Sequence, residues 1–323
     1  MGDVKKIGIL TSGGDAPGMN AAVRAVVRTA IYNGIEVLGV KKGYNGLIHD
    51  DFIEMDSRSV CDILQKGGTI LQTARCLEFK DPEMVKKGVE IAKSKGLDGL
   101  VVVGGDGSFR GARDLTRAGL PTVAIPGTID NDIDCTEYAI GYDTCLNTVI
   151  GVVDKLRDTC SSHERCSVIE VMGKGGGYIA IESAIACGAD VVLVPEVPFD
   201  MQKDVLDVIK ADKKRGKAHN IVIVAEGVGG VVEMAKTIEK ETGYETRAAI
   251  LGHFQRGGSP SVKDRVVASQ FGQKAVELLI EGKSNRIVRM QNGQVTDVDI
   301  EEGLKMKKTI PESMLKLAKQ LTV

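Results

Sequence analysis

The chain has 323 residues, 43% of them hydrophobic, with a formal net charge of -2; this length exceeds one ordinary core and argues for two α/β domains or one large domain with a lobe. Such a balance excludes a disordered chain and leaves no global field to attract nucleic acid. The seven cysteines are odd in number and include no C-x-x-C pair, which argues against a disulfide framework or a zinc site.

The N-terminus runs from MGDVKK straight into a strand-like segment, without the apolar stretch and small-residue cleavage site of a secretory signal. Apolar runs are too short to span a bilayer. A cytoplasmic enzyme with no membrane partner is the expectation.

Short β-branched runs alternate with longer amphipathic stretches, the pattern of parallel strands joined by crossover helices. Residues 6–10 read as a buried strand, 11–18 as a turn, and 19–32 as a helix closed by Asn33 and Gly34. Strands follow at 100–103 before GGDG and at 122–125 before PGTIDND. A helix around 148–159 is a candidate bridge between domains, and strand 167–171 precedes MGKGGG. Further strands are expected at 191–194, 221–225 and 247–251, with helices around 202–214 and 231–242. Ligands in open α/β sheets bind beyond the carboxyl ends of the strands, so the four glycine-bearing loops are expected to converge on one sheet edge.

In LTSGGDAPGMNAAVR, Gly13 and Gly14 stand between a strand and a helix, where backbone N–H groups and the helix N-terminus suit a phosphate. A tight strand-to-helix turn would look the same. In VVVGGDGSFRGA, Asp106 lies among Gly104, Gly105 and Gly107 and suits a hydrated Mg²⁺, which takes few protein ligands. A solvated turn aspartate is the alternative, and GGDG also occurs in NAD kinases and lipid kinases. In IPGTIDNDID, Asp130, Asp132 and Asp134 crowd beside Thr128 and Asn131. Phosphoryl transfer to an alcohol needs a carboxylate to take the hydroxyl proton and donors to offset phosphate charge. An Asp-rich cap and, less well, a calcium loop share this composition, although the loop lacks the glycine and terminal glutamate of the latter.

From Lys6 to Arg265, LTSGGDAPGMNAA, GGTILQTAR, GGDGS, PGTIDNDI, CSSHER, EVMG, ETRAAILGHFQRGGSP and DR occur in the order found in bacterial ATP-dependent 6-phosphofructokinases, and the chain resembles that family. The resemblance implies α/β architecture: two similar doubly wound, mainly parallel-sheet domains with the active site in the cleft between them. Residues 1–138 with about 251–300 would form a larger ATP-binding domain, and 139–250 with about 301–323 a smaller sugar-phosphate-binding one. The implied reaction is ATP-dependent phosphorylation of fructose 6-phosphate at its 1-hydroxyl, with Mg²⁺ as cofactor.

The same resemblance assigns residues. Gly14, Tyr44, Arg75, Cys76, Gly105, Asp106, Gly107 and Ser108 fall where the family binds ATP, with Asp106 serving the metal. Asp130 falls at the catalytic base, beside Thr128, Asp132 and Arg75. Fructose 6-phosphate would meet Thr128, Ile129, Asp130, Arg165, Met172, Gly173, Lys174 and Glu226, with Arg247, His253, Phe254, Gln255 and Arg256. Considered singly, the arginines would be solvated surface groups and His253, inside an apolar run, a core histidine. Pyrophosphate-dependent relatives carry Asp at the position of Gly107 and Lys at that of Gly127, so two glycines favour ATP.

An effector site between subunits is implied at Arg24, Ala25, Val26, Val27 and Arg28, with Arg157, Gly188, Ala189, Asp190, Arg215, Lys217, Ala218 and His219. There ADP would activate and phosphoenolpyruvate inhibit a homotetramer in which Arg165 and Arg247 reach a neighbour's active site. Three departures from the family pattern are Lys174 for arginine, Asp190 for glutamate and Ser57 for arginine beside Arg58. A NAD or lipid kinase, or a nucleotide sensor that kept the fold and lost the chemistry, would be the alternatives.

Overall fold

The computed structural model describes residues 4–321. Residues 1–3 and 322–323, which the domain assignment above includes, lie outside the described residues. The chain opens with β1 (Lys6–Thr11), α1 (Met19–Tyr32), β2 (Glu36–Val40), α2 (Tyr44–Ile48), β3 (Phe52–Met55), α3 (Pro82–Ser94), β4 (Gly99–Gly104), α4 (Asp106–Arg117) and β5 (Thr122–Pro126). It continues through α5 (Tyr142–His163), β6 (Cys166–Val171), α6 (Tyr178–Cys187), β7 (Val191–Leu193), α7 (Asp207–Lys214), β8 (Asn220–Ala225), α8 (Val231–Thr242) and β9 (Thr246–Ile250). The last elements are α9 (Val262–Ile280), β10 (Arg286–Gln291), β11 (Gln294–Asp299), α10 (Ile300–Gly303) and α11 (Glu312–Gln320).

Two compact units result. One takes the described residues up to Ile129 with Ile133–Thr144 and Arg256–Lys308; the other takes Asp130–Asp132, Cys145–Gln255 and the described residues from Thr309.

In the first unit, the described strands form a sheet of order β11-β10-β5-β4-β1-β2-β3. Its pairs are parallel except at the edges, where β3 and β11 run antiparallel to β2 and β10. The central strands GLVVVG and TVAIP are buried throughout, as parallel strands covered on both faces must be. Phe109 and Leu115 of α4, Leu47 of α2 and Phe79 pack with Leu100, Val102 and Ala124 in one core cluster. Full burial of each large apolar side chain contributes about 1.5–3 kcal/mol.

The sequence signal was weakest at the edges. RIVRMQ and QVTDVD are half-buried and mixed in polarity, so neither reads as an apolar run. The signal for this hairpin is Asn292-Gly293, whose φ values of 51 and 71 meet the left-handed requirement of a two-residue turn.

Asp264 holds this unit's irregular segment. Its backbone N–H caps onto Ser261 Oγ at 3.2 Å, while its fully buried carboxylate accepts from Tyr138 Oη at 2.6 Å and Gly141 N at 2.7 Å. It also accepts from Thr144 N at 2.8 Å and Thr144 Oγ1 at 2.5 Å. Burial pushes the carboxyl pKa up and the donors pull it back. The segment between β5 and α5 is thereby tied to α9.

The second unit carries a parallel sheet of order β7-β8-β6-β9 among the described residues. Val168, Val222 and Val224 of the strands pack with Ile209 of α7 and Val231 and Ile238 of α8. Two expectations change here. The four glycine-bearing loops do not share one sheet edge: three follow β1, β4 and β5 of the first sheet, whereas MGKGGG follows β6, which pairs with β8 and β9. Buried parallel strands of either sheet look alike in sequence, so partner choice is not readable locally. The helix expected over 202–214 is also not uniform. Met201–Leu206 forms a π-helical stretch before α7, with Asp200 Oδ1 accepting from Lys203 N at 2.9 Å.

Asp264→Ala orphans the donors of Tyr138, Gly141 and Thr144 at once. It should lower unfolding free energy by at least about 3 kcal/mol in urea titrations; a loss under about 1 kcal/mol would show that water replaces the carboxylate.

Candidate active site

Three strand ends build one face of the first unit. The loop after β1 is held from two sides: Ser12 N donates to Val103 O at 2.8 Å, and Thr73 Oγ1 donates to Gly13 O at 2.7 Å. Asn20 of α1 fixes the GGTILQTAR segment, donating to Lys66 O at 3.1 Å and accepting from Ile70 N at 2.8 Å. Arg75 lies exposed at the end of that segment, next to half-buried Cys76, whose thiol pKa is raised by burial. Arg256 donates to Asp15 O at 3.3 Å, and its guanidinium lies against the backbone of exposed Gly14.

The GGDG turn places Gly105 at the N-cap of α4 and Asp106, half-buried, in the first helical turn. A Cβ on Gly104 would stand 2.5 Å from Ser12 O, whereas nothing lies within 4 Å of a Cβ on Gly105 or Gly107. Close strand packing below and open space above therefore meet at one turn, with the α4 N-terminus facing that space. Ser108 is buried, and its carbonyl accepts from Tyr44 Oη at 2.5 Å. Tyr44 is itself buried, its ring stacked on Phe79 at 4.2 Å, and burial pushes its phenol pKa well up. Tyr44 thus supports the turn from the core.

The described residues contain no group of three His, Cys, Asp or Glu side chains that could hold a metal. That is compatible with Mg²⁺, which takes most of its ligands from water and phosphate. Asp106, a hard oxygen donor flanked by two glycines with open space over them, fits that ion.

Beyond β5 the main chain is pinned before the acidic residues. Gly127 N donates to Gly104 O at 2.9 Å, Thr128 N to Ile140 O at 3.1 Å, and Ile140 N to Pro126 O at 3.0 Å. Ile140 adjoins Gly141, which Asp264 holds. Thr128, Ile129, Asp130 and Asn131 are all buried, Asp130 with 6% of its surface exposed, and Asn131 adopts the left-handed region at φ 50. The three aspartates separate in role: Asp132 Oδ2 pairs with Lys174 Nζ at 2.8 Å, and Asp134 Oδ1 accepts from Lys308 N at 2.9 Å. Asp134 is thereby a structural residue.

In the second unit, Met172 N donates to Gln255 Oε1 at 3.1 Å and Lys174 N to Glu226 Oε1 at 2.5 Å, which shape the MGKGGG loop. Gly173, at φ 143, supplies a backbone that other residues reach only with strain. Gln255 is fully buried and also donates to Gly252 O at 3.1 Å, so it props this loop from behind. His253 and Phe254 lie exposed on the 3-10 turn Gly252–Arg256. The apolar run around His253 ends there, and the core-histidine alternative fails. Burial and neighbouring Glu226 raise the carboxyl pKa of Glu170. Half-buried Arg165 donates from Nε to Glu245 Oε2 at 2.7 Å, and exposed Arg247 pairs with Glu245 Oε1.

Part of the expected effector set also assembles. Arg157 donates to the carbonyls of Cys187 and Gly188 and lies 3.2 Å from His219 Nε2. Asp190 is 4% exposed, its carboxylate taken by Lys217 Nζ and by Ile221 N at 2.7 Å. It therefore faces its own chain, not an open metal position. Arg215 pairs at 2.5 Å with buried Asp212, a residue the motifs do not single out. Ala189 is buried and Ala218 exposed. On α1, Ala25, Val26 and Val27 are packed inside while Arg24 and Arg28 face outward, and Arg28 comes within 3.9 Å of Cys61 Sγ. Ser57 and Arg58 are exposed.

Sequence reasoning missed Asp264 and Glu245 as individuals. Both stand inside quoted motifs, Asp264 in DR and Glu245 at the start of ETRAAILGHFQRGGSP, and Asp264 also follows a Ser-x-x-Asp helix start at Ser261; neither pattern says which side chains these carboxylates meet.

A family model described as Phosphofructokinase matches residues 6–279. ATP-dependent 6-phosphofructokinase 1 of Clostridium perfringens is 53% identical over 315 residues, covering 98% of each chain. An ATP-dependent 6-phosphofructokinase of Bacillus cereus is 54% identical over 320 residues, 99% of this chain and 100% of that one. The phosphofructokinase structure of Saccharomyces cerevisiae superposes with a TM-score of 0.88 at 33% identity, over 99% of this chain and 48% of that chain. A pyrophosphate-dependent phosphofructokinase of Marinobacter aquaeolei, at 19% identity and a TM-score of 0.86, shares the fold.

The packing contrast in the GGDG turn is testable. Gly104→Ala should cost about 1–3 kcal/mol through overpacking, whereas Gly107→Ala, in open space on a helix, should be neutral or stabilise by up to ~1 kcal/mol. Equal effects in chemical unfolding would contradict the geometry.

Proposed function

Because the chain belongs to the phosphofructokinase family and is a phosphotransferase with an alcohol acceptor, we propose that it moves the γ-phosphoryl group of ATP to the 1-hydroxyl of fructose 6-phosphate. The products are fructose 1,6-bisphosphate and ADP, and the step commits the sugar to glycolysis. The observation that carries this reading is a buried carboxylate, Asp130, on a loop whose start is locked to the GGDG turn through Gly127 N and Gly104 O.

In this reading Asp130 accepts the proton of the 1-hydroxyl as that oxygen bonds to phosphorus and the bond to the β-phosphate oxygen breaks. Thr128 contacts the transferring group, and Arg75 offsets its charge. Mg²⁺, held by Asp106, adds charge neutralisation and alignment of phosphate oxygens when bound. Lys174 neutralises Asp132, so that this second carboxylate does not add to the repulsion of an incoming phosphate.

The first unit serves as the ATP-binding domain, through Gly14, Cys76 and Gly105–Ser108, and the second as the sugar-phosphate-binding domain. Arg165 and Arg247 take the 6-phosphate by charge-assisted contacts, and Met172, Gly173 and Glu226 hold the sugar. Open space at Gly107 leaves room for the α-phosphate of a nucleotide, which an Asp would crowd and repel. At Gly127 a Cβ would already stand 3.1 Å from Val103 and 3.2 Å from Met19, which does not favour a lysine there. Both features support ATP over pyrophosphate.

The effector reading is regulation of a cytoplasmic homotetramer with shared active sites, ADP activating and phosphoenolpyruvate inhibiting. Its support is the cluster of Arg157, Lys217 and His219, where burial and the Arg157 charge lower the imidazole pKa. No helix among the described residues is long and apolar enough to cross a membrane.

Asp130→Ala should lower kcat by about 10²–10⁴-fold with ATP and fructose 6-phosphate as substrates. Turnover within a few-fold of the parent would remove Asp130 from the role of base.

A further inference from the structure

The parallel register of β6 and β9, with Cys166 opposite Thr246 and Ser167 opposite Arg247, brings Arg165, one residue before β6, beside Glu245, two residues from Arg247. Glu245, one residue before β9, divides its carboxylate between them: Oε2 receives Arg165 Nε at 2.7 Å and Oε1 pairs with Arg247. The three side chains are 29%, 65% and 35% exposed for Arg165, Arg247 and Glu245, so the group is open to an incoming anion. Two guanidiniums drawn together by one planar carboxylate present the charge and donor geometry that also suits a phosphate dianion. Glu245 can swing into water at little cost, being partly solvated already.

We infer that Glu245 is a placeholder for the sugar phosphate: its carboxylate occupies the two arginines until a phosphate ester displaces it, and it thereby sets the affinity for the acceptor. This rests on the reading that Arg165 and Arg247 bind the 6-phosphate. The two arginines stay aligned between turnovers, and weak monoanions cannot displace a covalently tethered competitor. The same tethering makes every sugar phosphate pay for removing two ion pairs.

Steady-state kinetics of the full-length enzyme test it with Glu245→Gln and, as a second variant, Glu245→Ala. Both should lower the KM for fructose 6-phosphate by about three- to tenfold, the size of two exposed ion pairs, with the KM for ATP unmoved. The Ki of inorganic phosphate against fructose 6-phosphate should fall in parallel, which loss of structural support would not produce. An unchanged or raised KM for fructose 6-phosphate in both variants would overturn the placeholder role and make Glu245 an orienting residue. Arg165→Ala and Arg247→Ala separate the two levels of inference. If neither raises the KM for fructose 6-phosphate, the 6-phosphate lies elsewhere and the proposal falls with that reading; if either raises it and the Glu245 variants do not lower it, the proposal alone fails.

Discussion

One buried carboxylate sets the conditions for the acidic loop. Asp264 takes two donors, Tyr138 Oη and Gly141 N, from the segment between β5 and α5 and two, Thr144 N and Oγ1, from the first turn of α5, and anchors both to the start of α9. A buried charge is tolerable only when such donors surround it. Because Ile140 in that segment bonds back to Pro126 and Thr128, the hold on Gly141 extends to the end of β5. The chain entering Asp130 therefore leaves a fixed point.

The glycine turns that follow β1, β4 and β5 obey a second constraint, on space. Parallel strands β1, β4 and β5 bring Ser12, Gly104 and Gly127 so close that their contacts are main chain on main chain. A Cβ at Gly104 would meet Ser108 and Ser12 O, and one at Gly127 would meet Val103 and Met19, and α4 starts just beyond. A helix N-terminus of this kind favours an anion through its backbone donors.

Charge elsewhere is held in local pairs. Lys174 answers Asp132, Glu245 answers Arg165 and Arg247, and Asp190 with Asp212 answers Lys217 and Arg215. Each pair restricts the rotamers of a long side chain before any partner arrives. Asp190 also accepts from Ile221 N, on the neighbouring strand.

Local pattern by itself determined the strands and their following loops: β1, β4, β5, β6 and β8 each begin within one residue of the expected start, and the helix at 19–32 was legible with its Asn33-Gly34 stop. Continuous β-branched runs announce buried parallel strands, and ordered motifs announced the family. Tertiary structure alone decided the rest. That β6 belongs to a second sheet, that Gln255 turns inward while His253 turns outward, and that Asp134 bonds to Lys308 depend on partners far away in sequence. Periodicity records how one segment meets water and core; it carries no record of which distant segment completes the contact. Glu245 is the plainest case, a half-buried glutamate whose partner Arg165 comes beside it only through the β6–β9 pairing.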